Sequence, residues 1–464
     1  MAGRSKKPKS LWICSHCQAQ SSGWFGKCPS CASWNTIEES SSEPETGAHV
    51  RLSHEKQTKV VPATEASKSA QREQRLPTGI HEFDRVLGGG LVPGSLVLLG
   101  GLPGIGKSTL LLQACAGLAA PKGSDREGIK VLYASGEESV SQVGGRAARL
   151  HAASDKLLLM AETRIESILD AAQDCQPGVL VVDSIQTVYS DTQDGLPGNI
   201  SQIRSVTGHL ISWAKSRNIP VMIVGHVTKD GQLAGPRLLE HMVDAVLSFE
   251  GDEERATRLL RATKNRFGST QELGVFEMGG EGLLEVKNPS EAFLAEQPGK
   301  AIGSCITASL EGSRPLLIEV QALLGTSPRG GNPRRNCVGT DPSRLAMLLA
   351  VLERHAGLSV TDQDVFVNVT GGMRLREPGV DLSVLLAVAS SHKRKALPPG
   401  SLVLGEVGLT GEIRRVPRLQ TRLAEAARMG FRRAFLPPLR SASLDSDLEL
   451  IFVANVDQAV ELAF

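Results

Sequence analysis

The 464-residue sequence has few aromatic residues (4%), no long apolar run and a formal net charge of only +1. No apolar run approaches the roughly 18 residues of a transmembrane helix, and no secretory apolar segment follows the basic residues 1–10. We therefore expect a cytoplasmic protein without membrane partners. The balanced charge gives no global argument for nucleic-acid binding. The length suggests about three domains.

The N-terminal residues 1–37 contain five Lys or Arg and no Asp or Glu. This bias leaves open a solvated tail or a local patch that attracts phosphate. Two CxxC pairs lie in the same stretch, and their thiolates suit one tetrahedral Zn²⁺ ion: Cys14, Cys17, Cys28 and Cys31. Disulfides are disfavoured in a chain with no export signal. We predict a zinc-binding module over residues 1–37 and a flexible, polar linker over residues 38–75.

A complete G-x-x-x-x-G-K-[ST] motif follows an apolar strand pattern at residues 95–99 and precedes a helical pattern. Its glycines admit phosphate close to backbone N–H groups, and the helix N-terminus favours negative charge. We expect ATP to bind the whole loop, with Lys107 reaching the β- and γ-phosphates and the Ser108 hydroxyl holding Mg²⁺. The loop residues are Gly101, Leu102, Pro103, Gly104, Ile105, Gly106, Lys107, Ser108 and Thr109.

Apolar strand patterns at residues 130–135, 178–183, 220–226 and 244–249 alternate with helical stretches, which predicts a parallel sheet covered on both faces. Ligands gather at the carboxyl ends of such strands. Asp183 ends the second strand and is the expected Mg²⁺ carboxylate. Glu137 follows the first strand, where a carboxylate can polarise the attacking water, and Glu138 is the competing candidate.

The stretch from Gly88 into the phosphate loop resembles RecA-type ATPases, in which the strand after the phosphate-loop helix ends in a catalytic Glu; this favours Glu137. The KNRFG sequence at residues 264–268 resembles the signature of the bacterial RadA (Sms) family. Its cations, Lys264 and Arg266, are candidates for contacting phosphate across a subunit border or for contacting DNA. The resemblance extends over essentially the whole chain and implies an ATPase domain at residues 76–288.

Residues 289–464 resemble the proteolytic domain of Lon proteases, with hairpins at residues 305–320 and 402–416 and helices at residues 342–356, 382–391 and 418–429. The catalytic pattern departs from Lon, because Val380 stands at the serine position and Gln420 at the lysine position. Neither side chain supports nucleophilic catalysis, so we expect no peptidase activity. Residues 321–340 carry no acidic residue, and Arg329, Arg334 and Arg335 form either a solvated loop or a DNA contact.

The expected fold class is α/β: a RecA-like P-loop ATPase core with an N-terminal zinc ribbon and a C-terminal Lon-protease-like α+β domain. The RadA resemblance implies a DNA-dependent ATPase and helicase-type motor in homologous recombination and DNA repair. It further implies branch migration with the RecA recombinase on single-stranded and branched DNA, and a homo-hexameric ring. The alternative is a nucleotide-dependent ring scaffold that recruits repair partners without unwinding DNA.

Overall fold

The computed structural model describes residues 11–14, 20–21, 26–27, 31, 37–40, 62–64, 75–121, 127–226, 238–251, 257–294, 301–327, 332–439 and 446–464. The chain separates into two compact units, Met1–Gln71 and Arg72–Phe464. In the part of the chain so described, no helix is both long and apolar enough to cross a membrane.

The first unit contains a small antiparallel sheet in the order β2-β1-β3. Its strands are β1 (Leu11–Cys14), β2 (Gln20–Ser21) and β3 (Ile37–Ser40). Cys14 is the last residue of β1 and pairs with Ile37, while Cys31 lies half-buried in a turn. Cys17 and Cys28 lie outside the described residues. The geometry of the four predicted zinc ligands therefore stays a prediction.

The second unit is built on a nine-stranded sheet in the order β12-β11-β10-β9-β4-β8-β7-β5-β6. Strands β4 to β9 are parallel, as predicted, and β10 to β12 add an antiparallel extension that the sequence patterns did not reveal. The strands are β4 (Leu96–Gly101), β5 (Val131–Ser135), β6 (Leu157–Ala161), β7 (Val179–Asp183), β8 (Val221–His226), β9 (Ala245–Gly251), β10 (Thr257–Asn265), β11 (Leu273–Gly279) and β12 (Gly282–Glu285).

Apolar side chains project from both faces of the sheet, because successive residues of a strand point to opposite sides. In β4, Val97 and Leu99 pack in one core with α1 and α2, whereas Leu96 and Leu98 pack in another with α4 and α5. The helices are α1 (His81–Leu87), α2 (Lys107–Ala119), α3 (Val140–Arg149), α4 (Ile165–Cys175), α5 (Ile200–Arg217) and α6 (Leu238–Met242). The sheet is therefore covered on both sides, as its continuous apolar strands predict.

Helix ends in this core coincide with capping residues in the sequence. Ser139 and Gln142 form a reciprocal capping box at the start of α3. Asn199 caps the N-terminus of α5, and Asn218 ends that helix in the left-handed conformation. The N-caps Ser139 and Asn199 close the loops that follow β5 and β7, at the carboxyl edge of the sheet where the site lies.

The C-terminal part contains a seven-stranded sheet in the order β15-β16-β14-β13-β17-β20-β21 and a separate pair, β18-β19. Its elements are α7 (Pro289–Phe293), β13 (Ser304–Glu311), β14 (Arg314–Thr326), β15 (Arg335–Val338), α8 (Pro342–Ala356), β16 (Gln363–Val369), α9 (Asp381–Lys393), β17 (Ser401–Val403), β18 (Glu406–Val407), β19 (Ile413–Arg414), α10 (Leu419–Arg428), β20 (Arg433–Leu436), β21 (Glu449–Phe452) and α11 (Val456–Ala463).

The predicted hairpin at residues 305–320 and the three predicted helices of this part are present. The second predicted hairpin was too long: only Glu406–Val407 and Ile413–Arg414 pair as one. Ser401–Val403 instead runs parallel between β13 and β20, because this fully buried apolar segment fits the middle of a covered sheet.

The apolar core continues across residue 288, where the sequence predicts a domain boundary. Leu259, Leu273 and Val275 of the first sheet share one cluster with Phe293 and Ile318 of the C-terminal part. The ATPase core and the C-terminal sheet therefore pack together within the unit Arg72–Phe464. The boundary at residues 288/289 remains a prediction from sequence.

Candidate functional site

The phosphate loop connects β4 to α2 and has the backbone that its glycines predict. Gly104 and Gly106 have φ angles of +77° and +114°, which residues with a Cβ rarely adopt. Gly106 is the N-cap of α2 and, as a glycine, has no side chain with which to cap this helix end. The first N–H groups of α2 are therefore free to bind an anion.

Lys107 lies at the start of α2 and its side chain bends back over the loop. Its Nζ donates to the carbonyl oxygens of Gly101 and Leu102, both at 2.8 Å, and the residue is only 5% exposed. Burial lowers the pKa of Lys107, while the negative charges of Asp183 and Glu137 act against this shift. The two predicted carboxylates thus lie close enough to interact with the phosphate-loop lysine.

Asp183 and Glu137 occupy adjacent strand ends. Asp183 is the last residue of β7, and β5 pairs with β7 so that Ser135 lies opposite Asp183. Tyr133 donates a hydrogen bond to the Oδ2 atom of Asp183, and Ser184 donates one to the Oε1 atom of Glu137. The carboxyl ends of these strands therefore bring both carboxylates to the phosphate loop, as the parallel-sheet rule predicts.

Glu137 and Glu138 have different surroundings. Glu138 Oε1 lies 2.5 Å from Nη2 of Arg146, which belongs to α3, and its amide donates to the Ser135 hydroxyl. This carboxylate is engaged by α3, whereas that of Glu137 interacts with Ser184 beside Asp183. Of the two candidates, the Glu137 carboxylate therefore lies with Lys107 and Asp183, while that of Glu138 faces α3.

The cations of KNRFG lie at the opposite edge of the sheet. Asn265 pairs with Ala245, which in turn pairs with Val97 near the start of β4. The phosphate loop follows Gly101 at the other end of β4, four residues further along and about 13 Å away at the usual strand rise. Within one subunit, Lys264 and Arg266 are therefore remote from the phosphate loop.

Both cations are engaged by the segment around α6. Lys264 Nζ donates to the carbonyl oxygens of Glu240 (2.7 Å) and Val243 (2.8 Å), near the C-terminus of α6. Burial and the neighbouring charge of Arg266 lower the pKa of Lys264. Arg266 Nη1 lies 3.1 Å from Oδ1 of Asp244, although its side chain remains 54% exposed. Within their own subunit, both cations therefore hold the segment around α6 through hydrogen bonds and an ion pair. The sequence did not predict this role.

The predicted arginine loop is only partly described. Arg334 and Arg335 are exposed at the start of β15, next to β16. The Arg334 amide donates to Asp364, and Arg335 Nη2 donates to the carbonyl oxygen of Thr361 at 3.3 Å. Arg329 lies outside the described residues. Neither described arginine has a carboxylate partner for its guanidinium in the part of the chain that the structure covers.

Ion pairs lie next to Val380, the residue at the position of the Lon serine. Val380 is 4% exposed and packs in the apolar core. Next to it, Asp381 accepts hydrogen bonds from Arg344, and Glu377 forms an ion pair with the fully buried Arg422. These pairings are not evident from the sequence, because the partners lie 37 and 45 residues apart along the chain.

The residues present fit the groups that the motifs imply. The Tyr133 phenol donates to Asp183, and Ser108 acts to lower the pKa of the same phenol, so the two predicted Mg²⁺ ligands lie near one side chain. A hydroxyl and a carboxylate are the oxygen ligands that Mg²⁺ prefers. Neither Tyr133 nor Ser184 belongs to a recognised motif; the signal in the sequence was a polar aromatic residue inside an otherwise aliphatic buried strand.

Comparisons with known proteins agree with these features. The family described as "AAA domain" matches residues 62–232, and the family described as "Rubredoxin metal binding domain" matches residues 12–39. These matches support an ATP-binding core and a zinc ribbon. Among solved structures, the RadB recombinase has a TM-score of 0.36 at 23% identity, covering 46% of this chain and 100% of that one. A KaiC-like protein of Pyrococcus horikoshii has a TM-score of 0.38 at 20% identity, with coverages of 46% and 99%.

Three curated relatives carry the name "DNA repair protein RadA". The relative from Bacillus subtilis is 49% identical and covers 98% of each chain. Those from Halalkalibacterium halodurans and Listeria monocytogenes are 47% and 45% identical, each over 98% of this chain and over 99% and 98% of their own. Because it has a phosphate loop beside adjacent strand-end carboxylates and is similar to these proteins over nearly its whole length, the chain belongs to the RadA family of RecA-like P-loop ATPases.

Proposed function

We propose that the protein is a DNA-dependent ATPase and helicase-type motor that acts in homologous recombination and DNA repair. In this proposal it promotes branch migration of recombination intermediates together with the RecA recombinase. The single observation that carries the proposal is the convergence of Lys107, Glu137 and Asp183 at one edge of a RecA-like sheet. The name of the relatives, DNA repair protein RadA, supports the DNA-repair setting.

Each side chain of the site has a chemical task in phosphoryl transfer. Lys107 supplies positive charge to the β- and γ-phosphates, and the free N–H groups at the start of α2 bind phosphate oxygens. Glu137 orients the attacking water, with its carboxylate held by Ser184. Ser108 and Asp183 would hold Mg²⁺, which would supply positive charge to neutralise the nucleotide phosphates.

The position of the KNRFG cations supports a ring, which we propose to be a homo-hexamer. A cation can stabilise the charge that develops on a transferring phosphoryl group only if it lies close to that group. Lys264 and Arg266 lie at the edge of the sheet away from their own phosphate loop. A catalytic role for them therefore requires the nucleotide of a neighbouring subunit, and the alternative role is DNA contact.

The C-terminal part is proposed to be a Lon-like scaffold without peptidase activity, since Val380 offers no nucleophilic atom. A degradation assay on casein with added ATP tests this proposal. Release of peptides by purified protein would overturn it.

The arginine loop is the proposed DNA contact of this part. Replacing Arg329, Arg334 and Arg335 with Ala should weaken binding to single-stranded and forked DNA. The slope of log K against log salt concentration should fall by roughly 0.7–0.9 for each phosphate that the variant no longer neutralises, because each neutralised phosphate releases condensed counterion. Fluorescence anisotropy of a labelled fork over a series of salt concentrations measures both quantities.

A matched variant separates a specific contact from a general reduction in charge. Lys393, Arg394 and Arg432 are exposed in the same part of the chain, and their replacement with Ala removes the same number of positive charges. This control should keep the wild-type slope. If the slope of the loop variant is unchanged, or if the slope of the control falls equally, the arginine loop is a solvated loop and not a DNA contact.

Strand displacement tests the motor itself. Purified protein is incubated with a forked duplex, ATP and Mg²⁺, and release of the labelled strand is measured together with ATP hydrolysis. The Lys107→Ala variant is the control, because it loses the phosphate-loop charge. A motor should displace the strand and hydrolyse ATP faster when single-stranded DNA is added. ATP-dependent assembly on DNA without displacement would favour the nucleotide-dependent ring scaffold.

A further inference from the structure

Tyr133 is a buried polar residue of the site to which no motif assigns a role. It is one of two tyrosines in the chain, lies in the middle of β5 and is 1% exposed. A buried phenol needs a hydrogen-bond partner, because an unpaired hydroxyl away from water is costly. Its partner is Asp183: the distance from Oη to Oδ2 is 2.5 Å.

The direction of this hydrogen bond follows from the number of protons. The phenol has one proton, and a carboxylate can only accept, so that proton points at Asp183. Asp183 is only 8% exposed at the end of β7, so the bond holds a buried carboxylate in place.

This hydrogen bond prepares Asp183 for a divalent cation. Asp183 is held through one of its two carboxylate oxygens, which fixes its orientation and leaves the other oxygen for the metal or its water. Hydrogen-bonding partners of this kind orient ligands and tune metal affinity.

We propose that Tyr133 is a positioning residue of the nucleotide site, holding the Asp183 carboxylate in the orientation that binds the metal–nucleotide complex. This inference rests on the proposed ATPase function and adds to it a residue outside the recognised motifs. The strand pairing supports it: Tyr133 lies opposite Val181, two residues before the strand ends that carry Glu137 and Asp183. A buried strand of this kind usually carries an aliphatic side chain at such a position. The phenol instead supplies one hydrogen-bond donor at the site.

The competing explanation is packing alone. The ring of Tyr133 belongs to the apolar core that includes Leu110 and Val181, so removal of the hydroxyl also lowers stability. A purely structural role predicts a lower melting temperature and equal weakening of nucleotide binding with and without metal. A positioning role predicts weakening of the metal-dependent part only.

The test is Tyr133→Phe, which removes a single oxygen and keeps the ring. Binding of Mn²⁺ to the protein–ADP complex is measured by electron paramagnetic resonance of free Mn²⁺, and binding of ADP without metal is measured by calorimetry. The affinity of the complex for Mn²⁺ should fall by about 10- to 100-fold, the usual cost of removing a residue that orients a metal ligand. Affinity for metal-free ADP should not change.

Tyr189→Phe is the matched control. It makes the same chemical change at the chain's other tyrosine, which lies half-buried outside β5, and it should bind Mn²⁺ and ADP like the wild type. Unchanged Mn²⁺ affinity in Tyr133→Phe, or an equal loss of metal-free ADP binding, would overturn the proposal. Failure of the wild type to bind Mn²⁺ with ADP would overturn the nucleotide site itself, a result distinct from a defect confined to Tyr133→Phe.

A measurement on the intact phenol covers the case in which Tyr133→Phe does not fold. In the Tyr189→Phe chain Tyr133 is the sole tyrosine, so the tyrosine bands of the ultraviolet resonance Raman spectrum report on it alone. A strong-donor signature that changes when Mn²⁺ and ADP are added would support the proposal. A signature of a non-donating phenol would contradict it.

Discussion

Replacing Glu137 with Gln is expected to slow ATP hydrolysis by about 10²- to 10⁴-fold, the usual contribution of a positioned acid or base. The amide keeps the size of the side chain and its contact with Ser184 but cannot accept a proton from water. Nucleotide binding should remain, because the phosphate loop and Asp183 are intact. Steady-state hydrolysis and the affinity for a fluorescent ATP analogue measure the two properties separately.

The neighbouring residue provides the control for this experiment. Glu138→Gln makes the same change one residue later and breaks the ion pair with Arg146 on α3. Its hydrolysis rate should stay close to wild type, because this carboxylate is turned toward α3. If Glu138→Gln loses activity and Glu137→Gln keeps it, the assignment of the two residues is reversed.

The Lys264→Ala variant is expected to bind ATP normally and to hydrolyse it poorly, by roughly 10³-fold or more if the lysine contacts the transition state of a neighbouring subunit. Mixing it with Lys107→Ala protein should restore part of the activity. At a mixed border one subunit supplies an intact phosphate loop and the other an intact cation. Hydrolysis by mixtures of defined ratio, with co-assembly checked by pull-down of one tagged variant, measures the rescue.

The anchoring of α6 by Lys264 requires a second variant, because removal of those hydrogen bonds can perturb the fold on its own. Lys264→Met keeps the aliphatic stem and removes only the charge and its donors. Equal hydrolysis rates of Lys264→Met and Lys264→Ala, with unchanged melting temperatures, would indicate that activity is lost with the charge and not through a perturbed fold. Co-assembled mixtures with no activity above the two parents would mean that Lys264 serves its own subunit as an anchor or binds DNA.

The sequence predicted what depends on local chemistry. The phosphate loop, the parallel strands and the strand-end position of Asp183 all follow from short patterns of glycine, apolar and polar residues. The RecA-type resemblance already favours Glu137 over Glu138, and the structure adds a physical reason, because adjacent residues differ in what packs against them. It depends on Arg146, whose distance from Glu138 is set by the start of α3.

Pairings between distant segments could not be read from the sequence. The hydrogen bond between Tyr133 and Asp183 depends on β5 lying next to β7, and the contact of Arg266 with Asp244 depends on the register of β10 against β9. Strand order and register arise from packing of the whole sheet and have no short-range signal. The four zinc ligands are the opposite case, because their spacing in the sequence alone predicts the site. The described residues cover this site only in part.

The sheet order has a consequence for how the ATP-binding core is completed during synthesis. The strand before the phosphate loop, β4, lies between β8 and β9, and neither neighbour follows it closely in the chain. The AAA-domain match ends at residue 232, before β9 begins at Ala245. A nascent chain or fragment ending there would leave one edge of β4 unpaired and open to aggregation. We therefore expect the smallest autonomous nucleotide-binding fragment to extend through β9, beyond residue 232 where the AAA-domain match ends.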